Sequence, residues 1–589
     1  MTSSVPTPPF LATPSPWRRR GIVIGILLLW TVLAGRLVQL QWWSRDQFVR
    51  RAVRQRNFDE TIPARPGDIL DREGRVLATS VPTQSLYVDP SEIDDPWEFA
   101  WKLAEAIPID APRLAGRIEE MREKRFLWVR RRLSDADASA VRALKLPPAS
   151  YGLRIEFLRR YPQGTLAAHV LGQRDIDGVG RGGIEERYAP LLGGTAGVRH
   201  LVRDARGYVI EVRSEQPAAA GDAVRLSLDT LLQIDAEKRL DLLMRELEPE
   251  SACAVVLDPR SGEILSMASR PAFDPNDAAS APVNAWRNLA IQAQYEPGST
   301  FKPLVVAYAL DRGAIRSDES FDCMRGAYRM GPRVLHDHHR YGLLSVDEIL
   351  VKSSNIGMAK IGERLENERL RDCAVRFGFG HPTGIELPGE LPGMLHPLPR
   401  WTRYSTGSIP MGQEVSATPL QMLVAHSALA GGGTLQTPQL VLDILPRGVV
   451  SETRTPRTTF ASRVVGEEAA RWVVGTPLVG VVERGTGKKA QIEGVSVFGK
   501  TGTSQKVEAN GQYSHSRHVA SFICGAPAEN PRVLVLVTVD EPTKGPSDFG
   551  GIAAAPAARD ILERALRHTE PKRPPMPTEP PVDRLAEKP

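Results

Sequence analysis

The stretch Gly21–Trp43, GIVIGILLLWTVLAGRLVQLQWW, constrains this chain more than any other. About 20 apolar residues in a row can cross the hydrocarbon core of a bilayer, and a helix is the form that satisfies its own backbone polar groups there. Arg36 is the one interruption. Arg18, Arg19 and Arg20 precede the stretch, which predicts a cytoplasmic N-terminus over residues 1–20 and a single span of the inner (cytoplasmic) membrane over 21–43. Trp42 and Trp43 suit the far interface, so everything after residue 44 is expected outside, in the periplasmic or extracellular space. A cleaved signal peptide is the competing reading, since Ala34 closes a shorter apolar core. Against it, apolar residues continue past Arg36 and no clear A-x-A site follows.

A chain of 589 residues is too long for one compact core and divides into two or three units. Apolar content of 42% and charged content of 25% are those of a folded protein, and a net charge of +5 is small for this length, so charge points to no nucleic-acid partner. Lysine is scarce beside arginine, which gives weight to a lysine in a chemically meaningful place. Cys253, Cys323, Cys373 and Cys524 are scattered without C-x-x-C spacing, as buried inert thiols are and zinc ligands are not.

Residues 44–56 read as a polar, basic helical stalk. Ala64–Ser80, ARPGDILDREGRVLATS, alternates apolar residues about a turn at REGR, the pattern of a β-hairpin. Residues 91–148 carry helical periodicity, and glycine-rich turns follow between about 175 and 197. A second unit opens with a strand leading to a long amphipathic helix capped by Asp229 and Thr230, then two apolar strands joined by DPRSGE. Its end is marked by the buried strand PRVLVLVTVDEP and the helix GIAAAPAARDILERAL. Residues 570–589 are too rich in proline and charge to pack, and are expected to form a disordered tail.

Three short stretches could carry chemistry. YEPGSTFKP, Tyr295–Pro303, places Ser299 at the first turn of a helix and Lys302 one turn on, so that the amine could reach the hydroxyl. A lysine works as a base only where burial lowers its pKa; the bland reading of Ser299 is a helix cap. VKSSNIGMAK holds Ser353, Ser354 and Asn355, an ordinary N-cap by itself. VSVFGKTGTSQKV is a strand ending in Lys500, Thr501, Gly502 and Thr503, where a small residue admits a ligand backbone and Lys with two Thr hydroxyls suits a carboxylate.

Taken together, S-x-x-K, then S-x-N, then K-T-G resemble the active-site signature of penicillin-binding proteins and serine β-lactamases. RPGDILDREGRVLA, RRYPQGTLAAHVLG and GGIEERYAPLLGGTAG resemble the membrane-proximal pedestal motifs of the class B, monofunctional penicillin-binding proteins, with Pro66 as an insertion-like departure. The run VDEPTKGPSDFGGIAAAPAARDIL looks most like the septal, cell-division type of that class, with the elongation type as the near alternative; Cys524 and SDFGG depart from the usual pattern.

The resemblance implies an α+β multidomain protein: a single transmembrane helix, an elongated α+β stalk and pedestal over 44–222, and over 223–569 a transpeptidase domain whose antiparallel sheet is flanked by helices, as in serine β-lactamases. It implies a peptidoglycan D,D-transpeptidase. Ser299 is the nucleophile, Lys302 its base and Ser353 a proton relay. Asn355, Lys500, Thr501, Gly502 and Thr503 bind substrate, and the backbone N–H groups of Ser299 and Thr503 form the oxyanion hole. The expected partners are stem peptides ending in D-Ala-D-Ala, β-lactams, a membrane-embedded glycosyltransferase and other divisome proteins; no metal or cofactor is expected. The weaker alternative is a protein that hydrolyses or senses β-lactams.

Overall fold

The structure, a computed structural model, describes residues 16–49, 57–204, 209–446, 461–508, 512–545 and 549–569. The N-terminal residues 1–15, part of the stalk and the proline-rich tail lie outside them. The apolar stretch is one helix, Pro16–Val38, continued by a π-helical turn, Gln39–Trp43; it is long and apolar enough to cross a membrane, and its side chains are exposed along nearly its whole length.

Contacts divide the chain into two units, one of residues 1–64, 83–156 and 195–219, the other of 65–82, 157–194 and 220–589. In the first, helices Pro96–Ala106 and Ala111–Glu120 start at Asp95 and Asp110, whose carboxylates accept from backbone N–H groups of the first turn. Their apolar faces bury Leu103, Leu114 and Ile118. Helical periodicity missed the strand Leu127–Leu133 between these helices and Asp135–Ala143. There LWVRRRL spaces its buried residues at the two ends and pairs with residues 84–88 of the strand Val76–Val88, so tertiary pairing overrides the local pattern. Antiparallel pairing also links Asn57–Ile62, Gly197–Arg203 and Val209–Gln216.

The second unit is built on a five-stranded antiparallel sheet. Its strands are β1 (Ser251–Leu257), β2 (Ile264–Arg270), β3 (Phe498–Val507), β4 (Tyr513–Ala526) and β5 (Val533–Asp540), in the order β2-β1-β5-β4-β3. Period-two alternation sends Ala252, Ala254 and Val256 with Val535 and Val537 to one face, where they meet α1 (Thr230–Leu247) and α5 (Ala555–Thr569). Cys253, Val255, Leu534 and Leu536 face the other way, against α2 (Lys302–Asp311) and α4 (Pro419–Ala430). The expected hairpin about REGR is present as Ile69–Leu70 paired with residues 76–78. Helix α2 is apolar all round, as befits a helix buried on every side, and α3 (Asn355–Arg376) packs beside it. The edge strand β3 and the N-termini of α2 and α3 therefore converge.

Candidate active site

Ser299 lies in a 3₁₀ turn, Gly298–Phe301, that runs directly into α2. Gly298 has φ +56°, the left-handed region that favours glycine, and a Cβ there would press within 3.1 Å of the Thr503 carbonyl oxygen. Pro303 falls in the first turn of α2, where its missing N–H costs nothing. The Ser299 side chain makes no cap bond; Thr300 Oγ1 bonds the Pro297 carbonyl instead, at 2.7 Å. Beneath the turn, His426 donates its Nε2 proton to the Thr300 carbonyl at 2.8 Å, and burial holds its pKa down at about 4, so it is a neutral prop.

Lys302 is fully buried, and burial lowers its pKa from 10.5 to about 7, with the Asp337 carboxylate acting in the opposite sense. Its Nζ bonds the Ser353 carbonyl oxygen at 2.8 Å, Asn355 Oδ1 at 2.8 Å and Ser353 Oγ at 3.3 Å. Sequence spacing suggested that the amine could reach Ser299. In the structure none of these bonds goes to Ser299; Ser353 Oγ bridges the two, donating to Ser299 Oγ at 3.0 Å. The cause is backbone geometry: Ser353 has φ +57°, a costly conformation for a residue with a side chain, which directs its carbonyl and hydroxyl at once toward Lys302. Ser354, not Ser353, caps α3, accepting from the Gly357 N–H at 3.0 Å.

Strand β3 supplies the opposite wall. Lys500 is fully buried, and burial together with the Lys302 charge pushes its pKa well down. Its Nζ bonds Ser353 Oγ at 3.1 Å and the Thr501 carbonyl oxygen at 3.2 Å. Gly502 has to be glycine: a Cβ would sit 2.3 Å from Ser521 Oγ and 3.1 Å from the Pro297 carbonyl oxygen, so its absence lets β3 lie against the Ser299 turn. Thr503 Oγ1 accepts from the Gly550 N–H at 3.1 Å. Ser299, Lys302, Ser353, Asn355, Lys500 and the Thr501–Thr503 strand thus come together around one hydroxyl, Ser353 Oγ.

Sequence reasoning missed two contributors. Asp337, in the run HDHHR, accepts at the N-terminus of α3, and Thr486, in RGTGKKA, pairs its Oγ1 with Thr501 Oγ1 at 2.8 Å. A cluster of titratable residues in a loop was the available signal for the first; the second had none beyond its glycines. Elsewhere in the second unit, Glu250, Asp540 and Glu541 bring three carboxylates together, and Lys506 Nζ balances them at 3.4, 3.0 and 2.5 Å. All four cysteines are buried, and burial pushes the Cys253 thiol up to about 12.

The sequence matches the penicillin binding protein transpeptidase domain over residues 252–563 and the penicillin-binding protein dimerisation domain over residues 61–226. It is 34% identical over 556 residues to the probable peptidoglycan D,D-transpeptidase PenA of Neisseria meningitidis, covering 92% of this chain and 91% of that one. With the peptidoglycan D,D-transpeptidase FtsI of Escherichia coli it shares 32% identity over 556 residues, covering 94% and 92%. Among solved structures, penicillin binding protein 3 of Mycobacterium tuberculosis in complex with aztreonam matches at a TM-score of 0.68 and 27% identity, covering 88% of this chain and 99% of that one.

Proposed function

We infer that Ser299 is the nucleophile of this chain, which belongs to the penicillin-binding proteins and is a serine-type peptidoglycan D,D-transpeptidase. The observation that carries the assignment is the hydrogen-bonded line from Ser299 Oγ through Ser353 Oγ to Lys302 Nζ, ending on an amine whose pKa lies near 7.

In this reading the donor stem peptide lies along β3. Its terminal carboxylate meets Lys500 and the hydroxyls of Thr501 and Thr503, and draws onto Lys500 the proton that Lys302 repels. Ser299 Oγ attacks the carbonyl between the two D-alanines while its proton passes through Ser353 Oγ to Lys302 Nζ. The backbone N–H groups of Ser299 and Thr503 receive the developing oxyanion; that of Ser299 is in the first turn, where N–H groups have no intrahelical partner. As the tetrahedral intermediate collapses, the C–N bond breaks and the same proton returns by Ser353 to the leaving D-alanine. Asn355 holds the acyl-enzyme, with its Oδ1 on Lys302 and its Nδ2 on the His336 carbonyl oxygen at 3.1 Å. The amine of a neighbouring stem peptide then attacks the ester, loses its proton along the same path and leaves a cross-link, restoring Ser299. A β-lactam would acylate Ser299 and stay, because its leaving group remains tethered.

An N-terminus in the cytoplasm is supported by Arg18–Arg20 ahead of the apolar helix. Septal duty, as penicillin-binding protein 3, with a glycosyltransferase and other divisome proteins as partners, is supported by the likeness of the segment after β5 to the cell-division type. A fluorescent fusion at mid-cell supports that duty, and a lateral-wall pattern supports elongation instead.

Labelling with a fluorescent penicillin tests the nucleophile. The wild-type chain is expected to form a covalent adduct that persists for many turnover times, and Ser299→Ala to form none at an unchanged melting temperature. Labelling retained in the variant overturns Ser299; rapid loss of label from the wild type overturns transpeptidation in favour of β-lactam hydrolysis.

A further inference from the structure

Asp337 sits outside the three motifs, on the loop that follows the short strand Arg333–His336, yet it holds the middle motif in place. Its Oδ2 accepts from Ser354 Oγ at 2.7 Å. Its Oδ1 accepts from the backbone N–H groups of both Asn355, in a short contact, and Ile356, at 3.1 Å. The adjacent carbonyl of His336 takes Asn355 Nδ2, which fixes the amide so that Oδ1 is the atom offered to Lys302. The dipeptide His336–Asp337 therefore determines both the backbone and the side-chain orientation of the arm that meets the lysine. Asp337 also brings a full negative charge close to that lysine, joined to it through the one residue Asn355.

We propose that Asp337 is a positioning residue of the acyl transfer: it locks the Ser353–Asn355 arm against Lys302, and its charge sets the pH at which Lys302 becomes a free base. The proposal rests on the reading of Ser299 and Lys302 given above. The carboxylate stabilises the ammonium form, so it holds the lysine pKa higher than burial alone would leave it. The remaining charged neighbours cannot substitute for it. Lys500, on β3, and His338 are both bases, and burial and the Lys302 charge push the pKa of each down, so neither offers Lys302 a negative charge. Cys323 and Tyr341 face Asp337, and burial raises the pKa of both, keeping them neutral. Among the described residues Asp337 is the carboxylate that acts on Lys302, and neutralising it moves the working range of the base downward.

The test is the second-order rate of fluorescent-penicillin labelling of the detergent-solubilised full chain between pH 5 and 9, with thermal melting alongside. Asp337→Asn keeps an oxygen for the two backbone N–H groups and removes the charge. Its acid limb is expected about one unit or more below that of the wild type, so that at pH 6 it labels about fivefold faster relative to its own plateau. The same shift is expected in the His338→Gln background, which removes the neighbouring imidazole. A limb that coincides with the wild type, whatever the plateau, overturns the proposal and leaves Asp337 a helix cap. Should Asp337→Asn fail to fold, Asp337→Glu decides: it keeps the charge while displacing the oxygens, so its plateau is expected to fall with the limb unmoved, and a moved limb with an intact plateau overturns the proposal. Failure of the underlying reading looks different, since it would show as labelling retained in Ser299→Ala or absent from the wild type.

Discussion

The second unit buries two clusters of charge, and they are built on opposite rules. Around Glu185 the charges are opposite and paired: Arg159 Nε and Arg174 Nε lie 2.5 and 2.6 Å from its two oxygens, Tyr161 OH donates at 3.3 Å, and Arg159 also bonds the Gly67 carbonyl and Ser80 Oγ. Around Ser353 the charges are alike: two fully buried lysines share one hydroxyl, with the nearest carboxylate a residue removed. Burial that would be ruinous for an unpaired ion is tolerated there because both amines can shed a proton. An arginine cannot, so the Glu185 cluster stays ionic and is a fastening, whereas the lysine cluster can trade protons near neutral pH.

The strongest way to break this contrast is to remove the shared hydroxyl. Ser353→Ala is expected to slow penicillin labelling by about 10²–10⁴-fold, the usual worth of a positioned proton-transfer group. Ser353→Gly suits the φ of +57° better and is expected to be equally slow while melting no lower than the wild type. A Ser353→Gly chain that labels at the wild-type rate would mean that protons do not travel through this hydroxyl.

The next effect, on stability rather than rate, comes from Glu185→Gln. It leaves Arg159 and Arg174, both nearly fully buried, without a counter-ion, and is expected to cost about 3 kcal/mol in denaturant unfolding. The acid limb of labelling should remain near pH 7, where Lys302 loses its proton: below that pH the ammonium form dominates and the rate falls, above it the free base is present. A limb displaced by Glu185→Gln would show that the fastening and the chemistry are one system.

The two clusters also differ in how far the sequence revealed them. Ser299, Lys302, Asn355 and Lys500 were legible because each belongs to a short motif, and the order of the three motifs is far more specific than any one of them. The sheet was legible too, since β1, β2 and β5 are runs of apolar residues between clear turns. What spacing could not supply was the route between the residues. A helix offset of three suggested a direct contact between Lys302 and Ser299; the intervening hydroxyl is there because Ser353 adopts a left-handed backbone, which nothing in KSSN announces. Asp337 and Glu185 were hidden for a related reason: their partners lie 17 to 19 and 11 to 26 residues away, and only the folded chain brings them together. The strand Leu127–Leu133 was hidden because its identity as a strand depends on its pairing with residues 84–88.

The smallest expected effect sharpens the outer edge of the lysine cluster. Thr486 Oγ1 lies 2.8 Å from Thr501 Oγ1, and Lys500 Nζ approaches the same Thr501 oxygen at 3.4 Å. With Thr486 and Lys500 both donating, the Thr501 oxygen is satisfied as an acceptor and its own hydrogen is left to point at an incoming carboxylate. Thr486→Val removes one donor while keeping nearly the same shape, which is worth about 1 kcal/mol for a hydrogen bond between neutral groups. The expected loss is about fivefold in the second-order labelling rate, carried by weaker initial binding, with the ratio of rates at pH 8 and pH 6 unchanged because Lys302 is untouched. If that ratio moves instead, the Thr486–Thr501 pair tunes the proton inventory of the two lysines, and the boundary between binding carboxylate and moving protons lies one residue further out than the hydrogen bonds place it.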